Sequence, residues 1–158
     1  MRNIAIIAFI LILGSCSSPT PDTASETGIS AHSNTETGKG GALIHYLEIV
    51  TPDVEEVCAS YASANGLEFG APDELLGYAR TATLSNGCMI GVRAPLSESE
   101  EPVIRPYWLV EDIEVAVTAA VEAGGVIIHE PLEIPGRGIF AIYMLGNNQH
   151  GLWQLKTD

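Results

Sequence analysis

The side chains best equipped for chemistry are few, and their spacing excludes several mechanisms at once. The 158-residue chain has 3 cysteines and 4 histidines, with no Cys-x-x-Cys and no Cys/His grouping at zinc-ligand separation. Gly40-Gly41 and Gly124-Gly125 are not phosphate loops, because no Gly-rich loop carrying Lys and Ser/Thr opens a helix. No serine sits in a nucleophile elbow or has His and Asp partners by motif. Cys58 falls on an apolar stripe, a poor surround for a thiolate, and Cys88 adjoins a turn. The two are read as separate thiols, with a disulfide as the alternative in an oxidising compartment. His32 lies in a polar stretch and reads as solvated, while His129 and His150 read as hydrogen-bonded structural histidines. One thiol, Cys16, stands in a different context.

The chain begins MRNIAIIAFILILGSCSS. One cation, Arg2, precedes an uninterrupted apolar run from Ile4 to Leu13, and ten residues of helix span only about 15 Å, roughly half a hydrocarbon core. The run is therefore read as a signal segment, residues 1–15, and not as a membrane span. Leu13-Gly14-Ser15-Cys16 resembles the lipobox of lipoprotein signal peptidase, which needs small side chains before the cut and a thiol to carry diacylglycerol. Cleavage before Cys16 and lipidation of its thiol are the expectation; two or three acyl chains anchor firmly where one holds only marginally. Ser17 is not the Asp that retains enterobacterial lipoproteins at the inner membrane. The expected address is thus the bacterial cell envelope, on the outer membrane and facing the periplasm. From Ser17 to about Gly41 the chain is Ser, Thr, Pro, Gly and Glu with few large apolar residues, so residues 16–41 are read as a lipidated, disordered tether.

What the tether would carry is about 117 residues, 42–158, enough for one domain with its own core. The formal charge of the chain is −13, and loss of Arg2 would leave −14. An acidic body repels nucleic acid and anionic lipid, and neither is expected as a partner.

The body repeats itself at a constant offset. Asp53-Val54-Glu55 matches Asp112-Ile113-Glu114, and each opens a helical stripe: Val54, Val57, Cys58, Tyr61, then Ile113, Ala116, Val117, Ala120. Asp53 and Asp112 are placed to cap these helices. Both patterns end in the same register, at Asn65-Gly66 and Gly124-Gly125. Leu67–Phe69 then matches Val126–Ile128, and Gly77, Ala82 and Gly87 fall opposite Gly136, Ala141 and Gly146. Apolar stretches of strand character precede each helix (Ile44–Thr51, Tyr107–Val110) and follow it (Tyr78–Leu84 and Met89–Arg93; Ile139–Met144 and His150–Leu155). With Leu67–Phe69 and Val126–His129 as a first short strand after each helix, each copy reads βαβββ. Pro95–Pro106, rich in Ser and Glu, reads as the linker between modules at about 42–95 and 104–158.

Two βαβββ copies in one chain resemble the vicinal oxygen chelate superfamily, which includes glyoxalase I, bleomycin-resistance proteins and extradiol dioxygenases. HYLEIVTPDVEEVCASY and YWLVEDIEVAVTAAVEAGG resemble its opening strands and helices, and PLEIPGRGIFAIYMLGNNQHGLWQL its closing hairpin. The resemblance covers Ala42 to Leu155. It implies an α+β fold in which the two modules form an incomplete mixed β-barrel around a cavity, with the helices outside.

In metal-dependent members of that superfamily, His or Glu occupies four positions, two on opening and two on closing strands. The matching positions here lie near His45, Tyr46 and Glu48, near Arg105 and Tyr107, and near Arg93 and Gln154. Only His45 and Glu48 are good ligands, and their opposite parity on one strand turns them to opposite sides. No metal cofactor is expected, with a divalent metal as the alternative. The resemblance instead implies a cavity lined by Tyr46, Glu48, Arg93, Arg105, Tyr107 and Gln154, in which Glu48 pairs with Arg93 or Arg105. Trp108 and Trp153, of opposite parity, are expected under the helices, and Gly136-Arg137-Gly138 at an exposed turn. Three functions follow: a binding module for a small molecule with one anionic or hydrogen-bonding end, a divalent-metal enzyme, or a lipoprotein that meets a protein partner. Two complete copies allow a monomeric barrel and leave a homodimer open.

Overall fold

The computed structural model describes residues 42–157; the signal segment, Cys16 and the tether lie outside the described residues. Eight strands and two helices follow in order: β1 (Ile44–Val50), α1 (Val54–Asn65), β2 (Pro72–Asp73), β3 (Ala79–Thr83), β4 (Met89–Arg93), β5 (Val103–Val110), α2 (Ile113–Glu122), β6 (Val126–Ile134), β7 (Gly138–Leu145) and β8 (Asn148–Leu155). A single 3-10 turn, Glu74–Leu76, follows β2. Among the described residues no helix is long and apolar enough to cross a membrane.

The strands form one mixed sheet in the order β2-β3-β4-β1-β5-β8-β7-β6. Outward from the centre, both copies run alike. The first strand of each copy is parallel to its fourth (β1 with β4, β5 with β8), and the remaining pairs are antiparallel. An antiparallel ladder between β1 and β5 joins the copies. The sheet is not closed by hydrogen bonds, but Asp73 on β2 makes an ion pair with Arg137 in the β6–β7 turn, so its two edges curl towards each other. This is the expected α+β duplication, an open barrel with helices outside.

Parity sorts the side chains onto two faces. On the outer face α1 packs through Val54, Val57, Cys58 and Tyr61 onto Leu47, Ile49, Ile90 and Val92. In the second copy α2 packs through Ile113, Ala116 and Val117 onto Trp108, Val110, Ala141 and Leu152. The inner face carries Tyr46, Leu76, Ala79, Tyr107, Ile134, Ile142 and Trp153. Asp112 caps α2, accepting from the amides of Glu114 and Val115 at 2.9 and 3.0 Å. Asp53 precedes α1 without a side-chain cap bond.

Two expectations of the element pattern are corrected. Leu67–Phe69 is not a strand: Leu67 and Phe69 pack against the α1 cluster, and the short second strand is Pro72–Asp73, at the sheet edge where a residue without an N–H is tolerated. The linker is also shorter than Pro95–Pro106, because β5 starts at Val103, paired with Val50. Pro106 sits inside β5 just before Tyr107, the first residue paired with β8. A proline in a strand read as a boundary.

Candidate functional site

The inner face encloses a cavity of about 440 Å³. Its floor is strand-borne: Tyr46 and Glu48 from β1, Arg93 from β4, Arg105 and Tyr107 from β5, Trp153 from β8. Phe140 and Ile142 from β7, Leu76 from the 3-10 turn and Ile134 from β6 form apolar walls. Leu75, Leu96 and Leu132, all largely exposed, stand at the mouth.

Glu48 is the hub of the floor. Its side chain is only 8 % exposed, and those of Arg93 and Arg105 are 6 % and 5 % exposed. Arg93 Nε donates to Glu48 Oε1 at 2.6 Å. Arg105 Nη1 and, at 3.0 Å, the Tyr107 hydroxyl donate to Oε2. The sequence left open which arginine meets Glu48; both do. Each guanidinium has a further acceptor. Arg93 donates bidentately to Glu100, at 2.8 and 2.6 Å, and to the Ala94 carbonyl at 3.1 Å. Arg105 donates to Gln149 Oε1 from Nε at 3.0 Å and again from Nη2. Two carboxylates and two guanidiniums thus form a self-neutralising quartet, which is how buried charge becomes tolerable. Burial works to lower the affinity of Arg93 for its proton, but Glu100 and Glu48 outweigh it and hold the group above its usual range. The hydrogen bond from Arg93, with that from the Leu96 amide, holds Glu100 below the ordinary carboxylate value against the effect of burial.

Beneath the quartet lie three rings. Tyr46, Tyr107 and Trp153 pack with centroids 5.6 to 5.8 Å apart. Burial first, and Glu48 next, raise both phenols well above their ordinary value, so neither ionises readily. Their hydroxyls differ: Tyr107 donates to Glu48, whereas the Tyr46 hydroxyl is buried with no partner.

Five of the six residues expected around the cavity are brought together; Gln154 is not. It points to the outer face, where its Oε1 accepts from the Ile113 amide at the start of α2, at 2.8 Å. Trp153 takes the cavity position, which corrects its expected place under a helix; Trp108 does pack against the α2 cluster. The cause is one extra residue in the second copy. The offset that matches Asp53 to Asp112 also matches Glu48 to Tyr107 and Gly91 to His150. Yet Glu48 faces Gly91 whereas Tyr107 faces Gly151, one position beyond His150. A one-residue shift turns every following side chain over, so Arg93 corresponds to Trp153 where the constant offset would give Leu152, and Gln154 turns outward.

The other named residues are dispersed. His45 lies where the β1–β5 register shifts, against Trp153 with ring centroids 5.4 Å apart, and does not line the cavity. His129 reaches the cavity wall with its ring tilted against Phe140, and its Nδ1 contacts the Glu130 carbonyl at 2.7 Å. His150 stacks on Tyr143. Cys58 and Cys88 are both free, and the Cys88 thiol donates to the Ile44 carbonyl. Arg137 is tied to Asp73, and its carbonyl accepts from the Trp153 indole at 3.3 Å.

Glu100 and Gln149 escaped sequence reasoning. Glu100 lies in an irregular Ser/Glu stretch that no periodicity assigns to a face, and Gln149 sits near a hairpin turn. The need of two buried guanidiniums for more than one shared carboxylate was the available signal.

The donor set does not suit a divalent cation. Glu48 has both oxygens engaged, and two guanidiniums occupy the space where a cation would have to sit. Among the described residues, no three His, Cys, Asp or Glu side chains gather in a metal-holding group.

No protein-family model and no curated protein sequence matches the chain. Solved structures do match in shape. The hypothetical protein BH1468 from Bacillus halodurans C-125 aligns with TM-score 0.59 and 18% identity over 75% of this chain and 97% of its own. Methylmalonyl-CoA epimerase from Mycobacterium tuberculosis aligns with TM-score 0.53 and 16% identity, over 72% of this chain and 88% of the epimerase. A Streptomyces coelicolor methylmalonyl-CoA epimerase aligns with TM-score 0.52 and 15% identity, over 72% of this chain and 97% of its own. This is the vicinal oxygen chelate fold. At these identities the likeness carries the fold and no activity. Within the vicinal oxygen chelate fold, the present chain fills the barrel floor with an arginine–carboxylate quartet.

Proposed function

We propose that this chain is a lipid-anchored small-molecule-binding module of the bacterial envelope that works without a metal. The observation that carries the reading is the division of the cavity: one compact polar floor, Glu48, Arg93, Arg105 and Tyr107, within walls of Leu76, Ile134, Phe140 and Ile142. Ligand pockets combine apolar walls with a few fixed polar groups that set orientation. The ligand is a molecule with an apolar body and one polar end. A catalytic reading is less well supported, since Glu48, the best-placed base, has both oxygens engaged. The lipid anchor rests on the lipobox ending at Cys16.

The test is native mass spectrometry and elemental analysis of the full chain, purified in non-ionic detergent without chelator. A co-purified organic mass with substoichiometric metal is the expected result. Stoichiometric Ni, Fe, Mn or Zn would overturn the metal-free reading, and an empty chain that binds nothing from an envelope extract would overturn the binding module. Labelled palmitate should enter the chain and should not enter Cys16→Ser; label retained in that variant would overturn the anchor.

A further inference from the structure

Arg93 holds two carboxylates of unlike origin. Glu48 comes from β1, its side chain is 8 % exposed, and Arg105 and Tyr107 hold it as well. Glu100 comes from the irregular segment between β4 and β5, and its side chain is 21 % exposed. Apart from Arg93, its side chain is held by the Leu96 amide at 2.7 Å, within the same segment. The neighbouring hydrogen bonds, Glu100 amide to Ser97 carbonyl and Ser97 to Ser99, are also internal to that segment. Both Glu100 and Leu96 line the cavity. Removing Glu100 from Arg93 therefore breaks one bidentate contact and a few local ones, while the strand-borne floor stays in place.

Resting on the binding-module reading, we propose that Glu100 is a resident stand-in for a ligand's carboxylate: a monocarboxylic acid with an apolar body displaces Glu100 from Arg93. The planar fork of Arg93 already accepts a carboxylate in the two-bond geometry that guanidinium favours over other acceptors. Charge fixes exchange over addition. Two guanidiniums balance Glu48 and Glu100, so a further anion beside an unmoved Glu100 would leave net negative charge in a poorly solvated site. Swapping one carboxylate for another keeps the balance. A neutral amide or alcohol cannot replace the two charge-assisted bonds it would break. The apolar body lies against Phe140, Ile142 and Trp153.

The experiment titrates the full chain in non-ionic detergent near neutral pH with hydrocinnamate and with its amide, by calorimetry, on the wild type and on Glu100→Gln. Wild type should bind the acid more tightly than the amide, and Glu100→Gln should tighten the acid about tenfold, the scale of one charge-assisted hydrogen bond, leaving the amide unchanged. The Leu96 amide resonance should shift as the acid saturates the wild type, a readout that needs no variant. Equal binding of acid and amide, a still Leu96 resonance, or unchanged or weaker acid binding by Glu100→Gln overturns the stand-in role. None of these touches the binding-module reading, which is decided by the native mass spectrum.

Discussion

Gly151 lies beneath the ring of Tyr107, so close that a Cβ on the glycine would come within 2.1 Å of the tyrosine Cδ1. Gly91 stands in the same relation to Tyr46, where a Cβ would fall 2.0 Å from the hydroxyl oxygen. No alanine fits without tilting a ring, and both rings pack against Trp153. Gly91→Ala and Gly151→Ala should each destabilise by about 1–3 kcal/mol, the usual range for overpacking. Urea unfolding measures it. A loss at both positions no larger than that of an ordinary surface substitution would show that the rings are not held as described.

The two phenols, alike in burial, should answer oppositely to loss of the hydroxyl. Tyr46→Phe removes a buried group without a partner, whose burial costs about 1–3 kcal/mol, so the unliganded protein should gain stability. Tyr107→Phe removes a donor to Glu48 and should lose about 1–2 kcal/mol. Equal losses in the two variants would mean that Tyr46 has a partner in solution.

The repeat made most of this architecture legible. Helical stripes at Val54–Tyr61 and Ile113–Ala120, glycine stops and alternating strands are local signals, and a duplication doubles each of them. Strand parity grouped Tyr46 with Glu48 and Arg105 with Tyr107, but that this face, with Arg93, forms the floor of a cavity was legible only through the family resemblance. Parity also caused the main error: one residue added between Gly146 and Gly151 reversed Trp153 and Gln154, and no local pattern marks such an addition. Glu100 was illegible for another reason. Its position is fixed by one long side chain reaching Arg93, not by any periodic element. Pro106 misled because proline is excluded from a strand only where its N–H would have a ladder partner.

The reversal at the end of β8 has a consequence for stability and for binding. Gln154→Ala removes the acceptor of the Ile113 amide and should cost about 1 kcal/mol while leaving the cavity intact. Trp153→Ala empties the centre of the aromatic floor and should cost about 3–5 kcal/mol. Denaturant unfolding ranks the two. A larger loss at Gln154 would restore the register read from the sequence.

Glu48→Gln tests the quartet. The substitution leaves Arg93 and Arg105 sharing a neutral acceptor in a site they cannot escape, and breaking a buried pair from one side costs about 3–5 kcal/mol. The loss should be much larger than for Glu55→Gln, whose bond to Arg80 is made by a largely exposed carboxylate and is worth at most about 1 kcal/mol. Similar losses for the two variants would mean that Glu48 is solvated and that the quartet does not form.

Acid should act on this protein in two windows. His45 has its affinity for protons lowered by burial from an ordinary value of 6.5. The unfolded chain therefore protonates this residue first, and stability falls as pH drops below 6.5. Glu100 is held below its ordinary value of 4.5, chiefly by the hydrogen bond from Arg93. Its contribution is fully present above pH 4.5 and is lost as pH falls through the lower value of the folded state. Thermal unfolding across an acid series should thus show a first decline that His45→Asn flattens and a second, at lower pH, that Glu100→Gln flattens. The assignment fails if Glu100→Gln alters the first window and leaves the second untouched, because the Arg93–Glu100 pair can shift stability only where the carboxylate gains a proton.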